Sequence, residues 1–292
     1  MSTQKQIERA IGQATGEKSK IIDFRSVSGG CINNSRFITL EDGRKYFLKT
    51  PPGGAQYPGM FAAEYCGLEL IASANAIRVP KPVTYDNQFI VLEAFVECPA
   101  PADWLEKLGH QLAQLHLATR QNQFGFEMDN YIGSTPQPNT WTNNWSAFWR
   151  DQRIGWQLEL LTSKLAIDDP IFKLGDRLIA KLDDLLGDID EPAVLLHGDL
   201  WSGNAAVAEP GAPIIFDPAC YYGHREAELG IMRMFGGFGP RCEDAYNEVW
   251  PWDKYKEDRI PLYRLYHELN HLNLFGRTYY QACIDSMQQL IK

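Results

Sequence analysis

The sequence has little of several things that would assign a protein quickly. No hydrophobic run approaches the ~20 residues that a membrane-spanning helix needs. The opening MSTQKQIERA has no apolar signal-peptide region, so a cytoplasmic protein is expected. Positive charge is in the minority: 28 Lys and Arg against 37 Asp and Glu leave a net charge of −9. That balance argues against a nucleic-acid partner or an anionic membrane surface. The six cysteines (Cys31, Cys66, Cys98, Cys220, Cys242, Cys283) are scattered with no C-x-x-C pair, which excludes a disulfide framework and a zinc ribbon. There is no internal repeat, no low-complexity tract and no Gly-Lys-Ser/Thr of a Walker A loop. What remains, 45% hydrophobic and 22% charged over 292 residues, is the composition of a soluble globular protein of one or two domains.

The apolar pattern changes along the chain. Ile7, Ala10, Ile11 and Ala14 sit at helical spacing before Gly16 stops the run. Residues 20–27, 34–40 and 45–49 read as strands, and Asp42-Gly43 between the second and third is a strong hairpin signal. A helix is expected over about 60–74, then strands around 79–85 and 89–95. Cys98-Pro99-Ala100-Pro101 breaks regular structure and reads as a linker. Beyond it the chain turns helical, with helices expected at 105–115, 145–161, 171–186, 225–235, 259–274 and 277–291. A short β-rich stretch at 194–217 interrupts them. The expected fold class is therefore α+β: a small N-terminal lobe of five antiparallel strands plus a helix over 1–95, and a larger helical lobe over 96–292, with a ligand cleft between them.

Two polar clusters each follow an apolar, strand-like run. His197-Gly198-Asp199-Leu200-Trp201-Ser202-Gly203-Asn204 follows Val194-Leu195-Leu196, and Asp217 follows Ile214-Ile215-Phe216. If those two strands pair, Asp199, Asn204 and Asp217 come together at one end. Phosphoryl transfer asks for such a set. One carboxylate orients and deprotonates the attacking hydroxyl, here Asp199, while an amide oxygen and a second carboxylate, Asn204 and Asp217, hold Mg²⁺ on the phosphates of ATP. The four fixed positions His197, Gly198, Asp199 and Asn204 arise together by chance about 0.002 times in such a chain. Upstream, Lys49 ends a strand where its ammonium would meet phosphates, and Glu64 follows fifteen residues later on the next helix, placed to hold that lysine. Gly29 and Gly30, beside Cys31, lie between the first two strands, where unhindered amides can approach phosphate oxygens. Free amides there would also lower the pKa of Cys31, against which stands the plain reading of a bystander thiol. Glu93, Ala94 and Phe95 mark either a strand end or backbone groups for an adenine ring.

Other signals carry two readings each. His267-Glu268-Leu269-Asn270-His271 spells H-E-x-x-H, but three fixed positions arise by chance about 0.04 times per chain, so this string is far less specific. No His or Glu follows it to complete a catalytic zinc site, and the two histidines read as packing residues. Trp141, Trp145, Trp149 and Trp156 form either a core stripe or a sugar-facing wall. Trp201, beside the expected base, either packs on a sugar or lies under the loop. Glu226 and Glu228 either support the catalytic loop or simply favour a helix N-terminus.

Taken together, His197 to Asn204 with Asp217-Pro218-Ala219 resemble the fructosamine kinase (ketosamine-3-kinase) family. The likeness includes Gly29-Gly30-Cys31-Ile32-Asn33, the stretch 133–139 (GSTPQPN) and the stretch 269–276 (LNHLNLFG). The resemblance implies a protein-kinase-like fold and ATP-dependent phosphorylation of the 3-hydroxyl of a ketosamine, either a small molecule or a glycated amine or protein lysine. It implies a role in deglycation, with Asp199 as proton acceptor, residues 93–95 as adenine hinge and Trp201 at the sugar. Asp217-Pro218-Ala219 in place of Asp-Phe-Gly, and Gly198 in place of the arginine of His-Arg-Asp, set the chain apart from protein kinases. The remaining alternatives are a kinase of the same fold for an aminoglycoside or amino sugar, and a nucleotide-binding pseudokinase.

Overall fold

The computed structural model describes residues 3–27 and 33–292. The expectations placed on Gly29, Gly30 and Cys31 fall outside the described residues.

The N-terminal lobe opens with helix α1 (Thr3–Thr15), whose Ile7 and Ile11 are buried on the sheet, and Gly16 ends it with a positive φ of 77°. Strands β1 (Ile21–Ser26), β2 (Asn34–Leu40), β3 (Lys45–Thr50), β4 (Pro82–Asp86) and β5 (Phe89–Glu93) form one antiparallel sheet in the order β1-β2-β3-β5-β4. Gly43, at φ 87°, makes the β2–β3 turn that its sequence requires. Side chains alternate across β3. Leu48 joins Ile38, Leu40, Phe89 and Val91 in an outer core beneath α1, while Phe47 and Lys49 face the other way, into the cleft. Helix α2 (Met60–Ser73) crosses that inner face and carries the buried Glu64.

The helical lobe begins with α3 (Trp104–Ala118), followed by the hairpin β6 (Asn130–Ile132) and β7 (Thr135–Gln137). A single helix was expected over 145–161. It is instead α4 (Trp145–Trp149) and α5 (Trp156–Leu161), separated by a π-turn at Arg150–Gly155. The wider turn carries Arg153 inward, where it is fully buried. The expected helix over 171–186 is likewise divided into α6 (Pro170–Ile179) and α7 (Leu182–Leu186). Between them Lys181 leaves the ladder and gives its ammonium to the carbonyl of Ile291.

The strand pairing expected at the site is corrected. β8 (Val194–Leu196) does not pair with β10 (Ala212–Ile215); β10 pairs with β9 (Ala205–Ala208), and β8 with β11 (Tyr221–Gly223). The chain reverses at Asp217, a non-glycine residue at φ 59°, and that reversal brings β11 rather than β10 alongside β8. Helices α8 (Ala227–Met234), α9 (Pro240–Val249), α10 (Lys256–Phe275) and α11 (Tyr280–Leu290) complete the lobe, α9 being absent from the sequence reading. One large core runs from Phe61, Leu68 and Ile90 of the N-terminal lobe through Trp149, Leu196 and Tyr263 of the helical lobe. No helix among the described residues is long and apolar enough to cross a membrane.

Candidate active site

The cleft between the lobes encloses about 810 Å³, within the range of small-molecule sites. Its charged end is assembled from β3, α2, the loop after β8 and the loop after β10. Lys49, on β3, is buried, and its Nζ lies 2.5 Å from Glu64 Oε1 and 2.5 Å from Asp217 Oδ1. Burial alone would lower the pKa of the ammonium, but the Asp217 and then the Glu64 carboxylate outweigh it and the net shift is upward. The lysine therefore stays charged. Burial also pushes the Glu64 carboxyl up, with the Lys49 charge working against it.

The loop after β8 is held by backbone hydrogen bonds to a buried acid. Glu228, in the first turn of α8, accepts from the N–H of His197 at 2.7 Å and of Gly198 at 3.1 Å. Gly198 has φ 79°, and a Cβ there would lie 2.2 Å from the carbonyl of Ala219, so glycine is required. His197 Nε2 lies 2.9 Å from the Phe216 carbonyl, which fixes the proton on Nε2 and leaves Nδ1 to accept from the Asp199 N–H at 3.3 Å. Burial lowers the His197 pKa, so the ring is neutral. Ala219 N–H donates to the His197 carbonyl at 2.8 Å and Phe216 N–H to the Asn204 carbonyl at 3.0 Å. The two loops are tied together although their strands do not pair.

Asp199, Asn204 and Asp217 thus meet as expected. Asn204 Nδ2 donates to the Asp199 carbonyl at 2.8 Å and to its Oδ2 at 3.2 Å. Burial, and then the neighbouring Asp217 carboxylate, raise the Asp199 pKa well above its ordinary value, against the Asn204 hydrogen bond. With Asn204 Nδ2 engaged, its Oδ1 and the part-exposed Asp217 carboxylate are hard oxygen donors facing the cleft. Among the described residues no cluster of three His, Cys, Asp or Glu forms a self-contained metal cage. Two oxygen ligands that leave places for water and phosphate fit Mg²⁺.

Glu93 and Phe95 line the cleft, with Ala94 between them outside its lining. The Glu93 carboxylate pairs with Arg78 at 3.0 Å and accepts from the Lys81 N–H at 3.1 Å. Trp201 also lines the cleft, its indole folded over Gly203, where a Cβ would lie 2.3 Å from the ring. The readings of the two glutamates separate here: Glu228 supports the loop, while Glu226 makes a two-point pair with Arg259 at 2.8 and 2.9 Å.

The H-E-x-x-H string divides, with His271 in the cleft lining and His267 and Glu268 in the packing of the helical lobe. His267 is buried and held near a pKa of about 3 by burial, His271 and Arg153, and Glu268 bonds Ser286 and Arg264. Trp145 and Trp149 belong to the core, Trp156 Nε1 donates to the Pro136 carbonyl, and none of the four tryptophans lines the cleft. The sequence pattern did not reveal the scaffold under Asp217-Pro218. Arg153 stacks on Tyr221 and Phe148 and donates to Asn139 Oδ1 at 2.8 Å. Asn139 bonds Asn130, which donates to the Cys220 carbonyl at 2.7 Å, while Gln137 reaches the Ala219 carbonyl at 3.2 Å. The 133–139 stretch, singled out by resemblance alone, is therefore the brace of the loop that carries Asp217.

A five-stranded lobe carrying a lysine–glutamate pair, a helical lobe carrying the Asp/Asn/Asp set and a cleft between them define a protein-kinase-like phosphotransferase. The fructosamine kinase family pattern matches residues 3–292. A probable ketoamine kinase of Synechocystis is 40% identical over 98% of this chain and 96% of its own. A chloroplastic protein-ribulosamine 3-kinase of rice (Oryza sativa subsp. indica) is 42% identical over 95% of this chain and 81% of its own. A candidate fructosamine-3-kinase from Thermobifida fusca superposes with a TM-score of 0.86 at 32% identity, covering 98% of each chain. The chain belongs to the fructosamine kinase family and is a kinase.

Proposed function

We propose that the protein transfers the γ-phosphoryl group of ATP to the 3-hydroxyl of a ketosamine, and so takes part in removing sugar adducts from amines or protein lysines. Residues 1–95 serve as the nucleotide-binding lobe and 96–292 as the catalytic and acceptor-binding lobe. The observation that carries the proposal is the convergence of Lys49, Glu64, Asp199, Asn204 and Asp217 on one cleft, in a family whose relatives bear ketoamine and ribulosamine kinase names.

In this reading Asp199 orients the acceptor hydroxyl and takes its proton as the oxygen bonds to phosphorus and ADP leaves. Its raised pKa suits proton acceptance near neutral pH better than that of an ordinary aspartate. Lys49, held by Glu64, presents its ammonium to the phosphates, and Glu93 to Phe95 hold the adenine. Gly29 and Gly30 offer backbone amides to the phosphates. Asn204 and Asp217 hold Mg²⁺, which when bound offsets phosphate charge. Trp201 covers the sugar.

The test is an ATP-consumption assay over ribulosyl-, erythrulosyl- and fructosyl-amines beside aminoglycosides, with the phosphate position read by NMR. Turnover on ketosamines with phosphate on O3 is expected. Turnover on an aminoglycoside alone would overturn the acceptor, and ATP binding without turnover of either would leave only a pseudokinase.

A further inference from the structure

The end of the cleft away from Lys49 has a different character. The carboxylates in the cleft lining are Glu64, Glu93, Glu97, Asp199 and Asp217, and none comes from the segment 270–279 or from Phe235 and its neighbours in the lining. In their place stands a continuous wall of rings. Trp201, two residues from Asp199, meets Phe235 with centroids 5.6 Å apart, and Phe235 meets His271 at 5.3 Å. His271 in turn touches Phe275 at 5.4 Å and Tyr279 at 5.0 Å. Phe235 and Phe275 are 42% and 49% exposed, an unusual fate for two phenylalanines flanking one histidine in a cleft.

His271 is held in one tautomer. Its Nδ1 lies 2.7 Å from the His267 carbonyl one turn back on α10, so Nδ1 carries the proton and Nε2 the lone pair. Among the described residues Nε2 has no hydrogen-bond partner. Burial lowers the His271 pKa, which keeps the ring an uncharged acceptor. Besides π faces the wall therefore offers only neutral acceptors, His271 Nε2 with the Asn270 amide and the Thr278 and Tyr279 hydroxyls, and no anion. Aromatic faces attract ammonium groups, and a neutral imidazole nitrogen accepts an ammonium N–H.

We infer that Phe235, His271, Phe275 and Tyr279 form a subsite for the positively charged secondary amine of the acceptor, with an N–H donated to His271 Nε2. The inference rests on the ketosamine reading, because a ketosamine carries its amine beside the sugar carbons, and Trp201 spans from the sugar position to the rings. The subsite selects amine-borne sugars over free ones without a carboxylate of its own.

Two acceptors with the same sugar and the same butyl tail separate the charge from the tail: N-butyl-fructosamine and its ether counterpart, 1-O-butyl-fructose. Wild type is expected to favour the amine by roughly tenfold or more in kcat/KM. Phe235→Leu with Phe275→Leu, and separately His271→Phe, should each bring that ratio down several-fold; both phenylalanines are exposed, so the fold tolerates their loss, checked by circular dichroism. Equal use of amine and ether by wild type, or an unchanged ratio in the variants, overturns the subsite. A second readout does not depend on turnover. Diethylammonium titrated into the whole protein should shift the His271 and Phe235 NMR signals, less so in the variants, and no shift overturns the subsite. Diethylammonium binding at the rings with no turnover of any ketosamine would strike the ketosamine reading and leave the ammonium subsite standing.

Discussion

The two ends of the cleft hold their groups by opposite means. At the charged end Lys49, Glu64, Asp199, Asn204 and Asp217 come from four elements in both lobes, and each has a partner within the protein before any ligand arrives. Glu228 and the Arg153–Asn139–Asn130 brace fix the backbone beneath them. At the other end the rings come from one helix terminus and the end of α8, lie partly in solvent and touch chiefly one another. Chemistry that demands fixed charge is built rigidly, because an unpaired buried charge costs several kcal/mol. In the proposed subsite, recognition of the acceptor is left to groups that cost little to expose or exchange.

The comparison is tested most severely at Lys49. Lys49→Met should lower kcat/KM by roughly 10²–10³ and destabilise the fold by stranding Glu64. Adding Glu64→Gln should restore much of the melting temperature and none of the turnover. Turnover within tenfold of wild type would show that the charged end does not depend on this pair. Arg153→Met comes next: with no carboxylate partner, the guanidinium is held by rings and carbonyls, and its loss should cost roughly 2–4 kcal/mol in urea unfolding. A change under ~0.5 kcal/mol, the scale of a surface substitution, would remove the brace from the account.

Glu228→Gln leaves one oxygen acceptor where the carboxylate serves two N–H groups, and kcat should fall about tenfold with a smaller change in the KM for ATP. An equal rise in the KM of both substrates with kcat unchanged would argue against a role for Glu228 in shaping the loop. The smallest effect concerns a pair remote from both ends. Burial would raise the Glu191 pKa, but hydrogen bonds from Arg225 and His224 outweigh it and hold it at about 2, below the ordinary 4.5. A depressed carboxyl stabilises the fold fully above pH 4.5 and loses that contribution as the pH falls toward 2. Glu191→Gln should therefore cost about 1–2 kcal/mol at pH 7 after solvent screening, and the deficit should shrink across that window. A deficit independent of pH would point to packing instead.

Local signals were readable where local physics decides. The strand over 34–40 and the Asp42-Gly43 turn are found as expected, and so is the ion pair of Lys49 with Glu64. The meeting of Asp199, Asn204 and Asp217 was also anticipated, but through the wrong strand pairing, because an aspartate adopts the left-handed turn found at Asp217 more readily than most residues but does not require it. The π-turn that buries Arg153 was invisible, since a continuous apolar period through Trp145, Trp149 and Trp156 suits an unbroken helix. The lone pair of His271 depends on a hydrogen bond to its own helix, which no spacing rule reveals. The 133–139 and 269–276 stretches stood out only by likeness, and the structure gives their physical content: a brace for one end of the cleft and the rings of the other.

Asp199→Asn tests the proposed proton acceptor directly. Turnover of a ketosamine should fall by roughly 10²–10⁴ while ATP affinity stays within a few-fold of wild type. The nucleotide-free variant should also melt higher. The folded carboxyl titrates well above its ordinary 3.8, so protonation supports the fold at low pH and that support is lost as the pH rises. The ionised group is then a cost that an amide does not carry. Turnover within tenfold of wild type, measured on the same ketosamine at saturating ATP, would contradict the assignment.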